Sequence, residues 1–196
     1  MFKPPFYFSI LILFIAPATN AGSGVYFGVD SVSHELQTHV EVNQTFSSPP
    51  PAAINASNTA TKDFSDAGIR VGYKYKRRLN HQFFLSPELM VTQLDDDLIY
   101  GSNLKMGIDI NHFSFYGTGG ISHIDQFDKN QFNYGIGIEY KISQRFSFNL
   151  EWQKFETINE DTVAVENFGA QALTTTTDTQ RNISVLKIGL TYYLHE

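Results

Sequence analysis

The chain has 196 residues, 20 acidic against 14 basic side chains, a formal net charge of −6 and no cysteine. The lack of cysteine excludes disulfides and thiolate metal sites, and the acidic balance argues against nucleic acid as a partner. This length suits one domain, and no linker separates two apolar regions.

In chain order, Met1-Phe2-Lys3 leads into an apolar run from Phe6 to Ala16 and then Pro17-Ala18-Thr19-Asn20-Ala21. A basic start, a short apolar stretch and small residues describe a secretory signal peptide over 1–21, cut after Ala21, with 22–196 as the mature domain. The run is too short to cross a bilayer as a helix. No longer apolar segment follows, so residence in a membrane requires a closed sheet. Such sheets belong to the bacterial outer membrane.

From Gly24 onward, bulky apolar or aromatic residues recur at every second position, with Gly, Ser, Asn or charge between them. Phe132, Tyr134, Ile136, Ile138 and Tyr140 enclose Asn133, Gly135, Gly137 and Glu139 on the other face. That is the period of a strand with lipid on one side and polar side chains on the other. Eight segments follow it: 24–41, 64–75, 82–94, 98–110, 113–124, 131–141, 146–155 and 182–194. The fold predicted is all-β, an eight-stranded antiparallel up-and-down transmembrane β-barrel. The second, fourth and sixth links, at 76–81, 111–112 and 142–145, are short, as periplasmic turns are. The first and seventh, 42–63 and 156–181, are long and fall on the same side. Ser47 to Ala53 contains Pro49-Pro50-Pro51, which predicts extended, mobile chain. The seventh link, with Glu156, Glu160, Asp161, Glu166 and Thr174 to Thr177, predicts a flexible acidic loop.

The polar face fixes the register. A one-residue slip would turn Arg70, Lys74, Lys105, Asp109 and Lys187 toward lipid, at roughly 2–4 kcal/mol for each base near the midplane. Three positions depart from the pattern. Val32 and Leu36 lose phase, predicting a bulge or an exit from the membrane. Pro87 removes a ladder donor, predicting a bulge or local break. Lys154 follows Trp152 on the apolar face and is placed above the lipid.

The stretch Tyr134-Gly135-Ile136-Gly137-Ile138-Glu139-Tyr140-Lys141, a short turn, and Phe146-Ser147-Phe148-Asn149-Leu150-Glu151-Trp152 resemble the penultimate hairpin of small eight-stranded outer-membrane proteins. These are the opacity-protein, attachment-invasion and OmpA-type membrane barrels. Gly24-Val25-Tyr26-Phe27-Gly28 is similar to their first strand. Gly189-Leu190-Thr191-Tyr192-Tyr193-Leu194 is similar to the last strand, which the resemblance implies is presented to the outer-membrane assembly machinery. Family members usually stop at an aromatic residue, whereas His195-Glu196 follow Leu194 here.

An eight-stranded barrel is about wide enough for its own side chains to fill it. Arg70, Lys74, Glu88, Lys105, Asp109, Glu139, Glu151 and Lys187 are the candidate lumen network, with bases and acids pairing across the interior. Tyr116 is expected to point inward beside Gly135 and Gly137. Tyr73, Tyr75, Tyr140, Phe146, Trp152 and Tyr192 are candidate interface aromatics. His112 and Ser114 have a His-x-Ser spacing found in lipid-modifying barrels, but no acid is assignable to orient the pair. His123 with Asp125 lies at an outer tip, and His34 and His39 lack same-face spacing. No catalytic residue, cofactor or metal site is assigned. The partners expected are outer-membrane lipid and lipopolysaccharide, the assembly machinery and a host-cell surface ligand of the outer loops, with the protein a monomer. The leading functional expectation is a non-enzymatic surface barrel, structural and adhesive. Its rivals are a lipid-modifying enzyme, a narrow ion or solute channel, and a soluble barrel of lipocalin type.

Overall fold

A computed structural model of the protein describes residues 24–47, 52–78, 82–94, 97–168 and 171–194. The signal peptide assigned to 1–21, Pro49 to Pro51, and His195-Glu196 lie outside these residues. The strands are β1 (Gly24–Phe46), β2 (Ala52–Arg78), β3 (Gln82–Leu94), β4 (Asp97–Ile110), β5 (Phe113–Ile124), β6 (Lys129–Lys141), β7 (Phe146–Phe155), β8 (Ile158–Phe168) and β9 (Gln171–Tyr193). A short 3-10 helix, Asp125–Phe127, joins β5 to β6.

Sequential antiparallel pairing runs from β1 to β7, then β7 pairs with β9 and β9 returns to β1, closing a ring of eight strands. Closure removes free edges where water cannot satisfy the backbone. The side-chain alternation then sorts by solvent. Val25, Phe27, Val29, Ile69, Met106, Phe132, Ile136 and Leu190 are exposed outward. Their neighbours Asp30, Arg70, Lys105, Asn133 and Lys187 are buried inward. An apolar exterior around a polar interior inverts a soluble barrel and suits hydrocarbon as the outer solvent.

The ring has the eight strands expected, and the structure corrects the two long links. There are nine strands among the described residues, and the ninth, β8, lies in the stretch expected to be an acidic loop. β1 and β2 stay paired in one register from Gly24↔Lys74 up to Phe46↔Ala52. β9 pairs with β1 as far as Phe46↔Leu173 and with β8 from Ile158↔Arg181 to Phe168↔Gln171. The order β2-β1-β9-β8 therefore forms a four-stranded sheet rising from one side of the barrel mouth. Composition misled here. Runs such as Thr174 to Thr177 look soluble and loop-like, yet β-branched Thr fits a pleated surface exposed to water on both sides.

β1 does not bulge at Val32 or Leu36, since its ladder to β2 is unbroken. These residues keep inward phase, and the lining itself turns apolar at that height. Pro87 does break the wall locally. The β2–β3 ladder stops at Gly72↔Glu88 and resumes at Tyr75↔Leu85 in the same register, while Pro87↔Leu104 keeps the β3–β4 ladder continuous.

Candidate functional site

Three levels stack along the barrel axis. At the periplasmic end, Lys74 Nζ lies 3.3 Å from Asp109 and 3.6 Å from Glu139, and Lys76 lies 3.3 Å from Asp109. Ser114 accepts from Lys74 at 3.0 Å and donates to Asp109 at 2.5 Å, and the Tyr193 hydroxyl donates to Glu139 at 2.7 Å. At mid-height, Arg70 is 3.2 Å from Asp30 and 3.5 Å from Glu88, and donates to Asn149 and Thr191. Lys105 bridges Glu88 at 2.8 Å and Glu151 at 2.9 Å. Lys187 is 3.7 Å from Glu151 and donates to Gln153 at 2.8 Å.

The eight residues assigned to the lumen from sequence fall in two groups, Lys74, Asp109 and Glu139 at the periplasmic end and Arg70, Glu88, Lys105, Glu151 and Lys187 at mid-height. Each charge there has an opposite charge within 4 Å, the condition under which buried ions are tolerated. Sequence reasoning missed Asp30, Tyr26, Tyr193, Asn149 and Gln153, although the phase of β1, β7 and β9 puts them on the same inward rows. Tyr26 donates to Glu88 at 2.9 Å and shares a 3.0 Å hydrogen bond with Ser86.

Glycine makes room for the rings. Tyr116 stands opposite Gly137, and a Cβ built on Gly137 would lie 2.6 Å from Cε2 of the ring. The Tyr116 hydroxyl donates to Glu151 at 2.9 Å. Lys105 sits 5.1 Å from the centre of that ring, and Lys74 sits 4.1 Å from the centre of the Phe84 ring. Packing and charge pairing therefore fix the same side chains.

Above the charges the lining becomes hydrocarbon. Val32, Met90, Leu94, Ile99, Ile124, Phe155, Ile158, Ile183 and Val185 form one buried cluster, with Leu36, Phe64 and Phe127 packed on it. Sequence reasoning did not identify this seal. The signal was present as apolar residues in the polar phase at strand ends: Leu94, Ile99, Ile124 and Phe155. Glu160 clasps the top, 3.3 Å from Lys129 and paired with Arg181, whose guanidinium lies 5.1 Å from the Phe127 ring centre. Hydrogen bonding from Arg181 holds the Glu160 carboxyl below its ordinary value.

Beyond these three levels lies the protruding sheet. Its outward face aligns Glu41, Asp178 and Asp161 across neighbouring strands. Hydrogen bonding with Asp161, then repulsion from Asp161, raises the Asp178 carboxyl. Asn43 and Asn55 face each other between β1 and β2. His39 bonds Thr59 at 2.8 Å on this sheet, whereas His34 is buried 3.9 Å from Asp66 below it. The two histidines do not converge.

His112 and Ser114 do not converge. The Ser114 hydroxyl is committed to Lys74 and Asp109 in the lumen, while His112 is exposed at the turn, its ring 6.3 Å from that of Tyr140. His123 bonds Asn130 at 2.9 Å and lies 3.6 Å from Asp125 and 3.7 Å from Asp128. Among the described residues no group of three His, Asp or Glu is arranged to hold a metal ion.

The aromatics assigned to the interfaces all face outward. Tyr75, Tyr140, Phe146 and Trp152 are exposed, and Tyr73 and Tyr192 half-buried. Tyr140 packs on Phe113 at 5.0 Å and Phe146 on Tyr192 at 5.1 Å, near the short turns. Trp152 lies at the opposite, outer end of its strand.

Comparison with known proteins gives the family. The outer membrane protein β-barrel domain matches residues 7–193. No curated protein matches the sequence. Among solved structures, the outer membrane protein OprG from Pseudomonas aeruginosa is similar at 12% identity and a TM-score of 0.41, covering 88% of this chain and 97% of that one. The outer membrane protease OmpT from Escherichia coli is similar at 8% identity and a TM-score of 0.40, covering 90% and 98%. Ail, the attachment invasion locus protein of Yersinia pestis, in complex with the heparin analogue sucrose octasulfate, is similar at 12% identity and a TM-score of 0.38, covering 79% and 99%. With a family match across nearly its whole length and a closed ring that is apolar outside, the chain belongs to the outer membrane protein β-barrel domain family and is a protein of the bacterial outer membrane.

Proposed function

We propose that the protein is a non-enzymatic, monomeric surface barrel that uses its protruding sheet to contact molecules outside the cell, a host-cell surface ligand among them. The observation that carries this reading is the open edge of β2. Its strand is paired with β1 throughout, but its ladder to β3 begins only at Gly68. From Ala52 to Thr61 one side of the strand has no ladder partner among the described residues.

Natural sheets usually guard such an edge with charge or proline. The β8 edge follows that practice, carrying Glu160, Asp161 and Glu166. The β2 edge carries no charge from Ala52 to Thr61, and its side chains are mostly small. An unguarded edge with small side chains suits addition of an extended segment from another protein, with affinity supplied by the main chain. The filled lumen and its apolar seal support a closed barrel over a channel. The separation of Ser114 from His112 supports a non-enzymatic reading.

The test is an Asn55→Lys, Ser57→Lys variant, which places charge on the edge without touching the barrel. Cells displaying it are expected to lose most of the host-cell binding shown by the unmodified protein, with surface abundance unchanged. Binding that equals the unmodified protein would contradict the reading.

A further inference from the structure

In the outer half of the wall, the outward rows of the described strands carry one lysine and no arginine. That lysine is Lys154 on β7. It stands opposite Tyr134 of β6 and Ser184 of β9. Phe132 and Tyr134 beside it are 63% and 55% exposed, and Trp152, two residues toward the membrane centre, is 41% exposed. A basic side chain just beyond an aromatic band marks the height where acyl chains give way to headgroups.

The surface there is concave. Phe132, Tyr134, Lys154, Phe155, Glu156 and Thr157 line a shelf of about 380 Å³. Its upper rim is fixed because the Glu156 backbone N–H donates to the Phe132 carbonyl at 2.8 Å, and Thr157 is tied to Asn182 by a 2.7 Å side-chain hydrogen bond. Lys154 forms no ion pair with the described residues, so its ammonium is free to meet an anion. Glu156 follows on the same outward row, one step further from the membrane.

We propose that this shelf binds a phosphorylated glycolipid of the outer leaflet. The phosphate pairs with Lys154, the acyl chains run from Tyr134 along Trp152 and Ile136 toward the membrane centre, and at the height of Phe132 sugar hydroxyls donate to Glu156. The carboxylate above the lysine is what selects a sugar headgroup. It accepts hydrogen bonds that hydroxyls supply, and it disfavours a second anion at the same height. This site is separate from the edge of β2, so either reading can fail alone.

The test measures lipid retained by the purified full-length protein, using native mass spectrometry after reconstitution with lipopolysaccharide, its dephosphorylated form, or phosphatidylglycerol. Wild type is expected to retain one phosphorylated glycolipid. Lys154→Gln or dephosphorylation is expected to lower occupancy about fivefold, the size of one basic residue's attraction to an anionic membrane surface. Lys154→Arg is expected to keep it, and phosphatidylglycerol to bind more weakly. Equal retention by Lys154→Gln, or of dephosphorylated lipid, would overturn the proposal. So would displacement of the lipid by inorganic phosphate at matching concentration, which would mean a site for a free ion. The faster gel migration of unheated barrel confirms that each variant is folded.

Discussion

Barrel and protruding sheet use the same strands under opposite solvent conditions. Within the membrane, β1, β2 and β9 bury one face in a charged, hydrogen-bonded interior and give the other to lipid, and the ring leaves no edge. Above the membrane the same three strands continue with β8, both faces meet water, and two edges stay open. In the first region the ordering of each side chain is over-determined by pairing and packing. In the second it rests on backbone hydrogen bonds and cross-strand pairs, each contributing well under 1 kcal/mol or about that. Mutations should therefore be costly below the seal for stability, and cheap above it except for contact.

The largest effect is expected from Lys105→Ala, which leaves Glu88 and Glu151 without their shared cation while their side chains remain about 1% exposed. Removing one partner from a buried charge cluster costs about 3–5 kcal/mol. Urea unfolding of the barrel in lipid vesicles should show it, and a loss below 1 kcal/mol would mean that water reaches the lumen.

Phe155→Ala tests the seal. The side chain is 1% exposed within the apolar cluster, so a cavity cost of roughly 3 kcal/mol is expected by the same unfolding assay. Gly137→Val tests the Tyr116 ring contact. Overpacking there is expected to cost about 1–3 kcal/mol and to slow assembly, whereas Gly119→Val, where a Cβ would meet only the Asn133 carbonyl at an ordinary 3.8 Å, should do much less.

These positions also show what was legible in the sequence. Alternation identified the wall and its register, because lipid imposes a strict period of two. It could not identify the protruding sheet, where neither face meets a distinct solvent and the pattern carries no contrast. Thr59 and Thr176 read as loop residues for that reason. The seal was obscured differently. Val32 and Leu36 obey the period but reverse the chemistry of the inward face, so they read as a loss of phase.

Acidification should produce the smallest effect, confined to the sheet. Asp178 has its carboxyl raised by Asp161, so the folded sheet binds that proton more readily than the unfolded chain. Stability should rise as pH falls through the raised value and level off below the ordinary one. Glu160 behaves oppositely, its carboxyl held down by Arg181 and Lys129. Its contribution is present above the ordinary carboxyl value and is lost as pH falls through the lowered one. The sheet should therefore tighten and then loosen on descending pH, and Asp178→Asn should remove the first phase. Amide exchange of β9 across this range is the measurement.

The most direct test of the whole account is residue-resolved amide hydrogen exchange of the protein in lipid nanodiscs. The amides of β5 and β6 are expected to be protected longest. Those of β1 from Thr38 to Phe46 and β9 from Leu173 to Arg181, paired on both sides, are expected to be clearly protected, while alternate amides of the β2 edge from Ala52 to Thr61 exchange rapidly. Exchange of 38–46 and 173–181 at the rate of unstructured chain would contradict the protruding sheet and return these segments to loops.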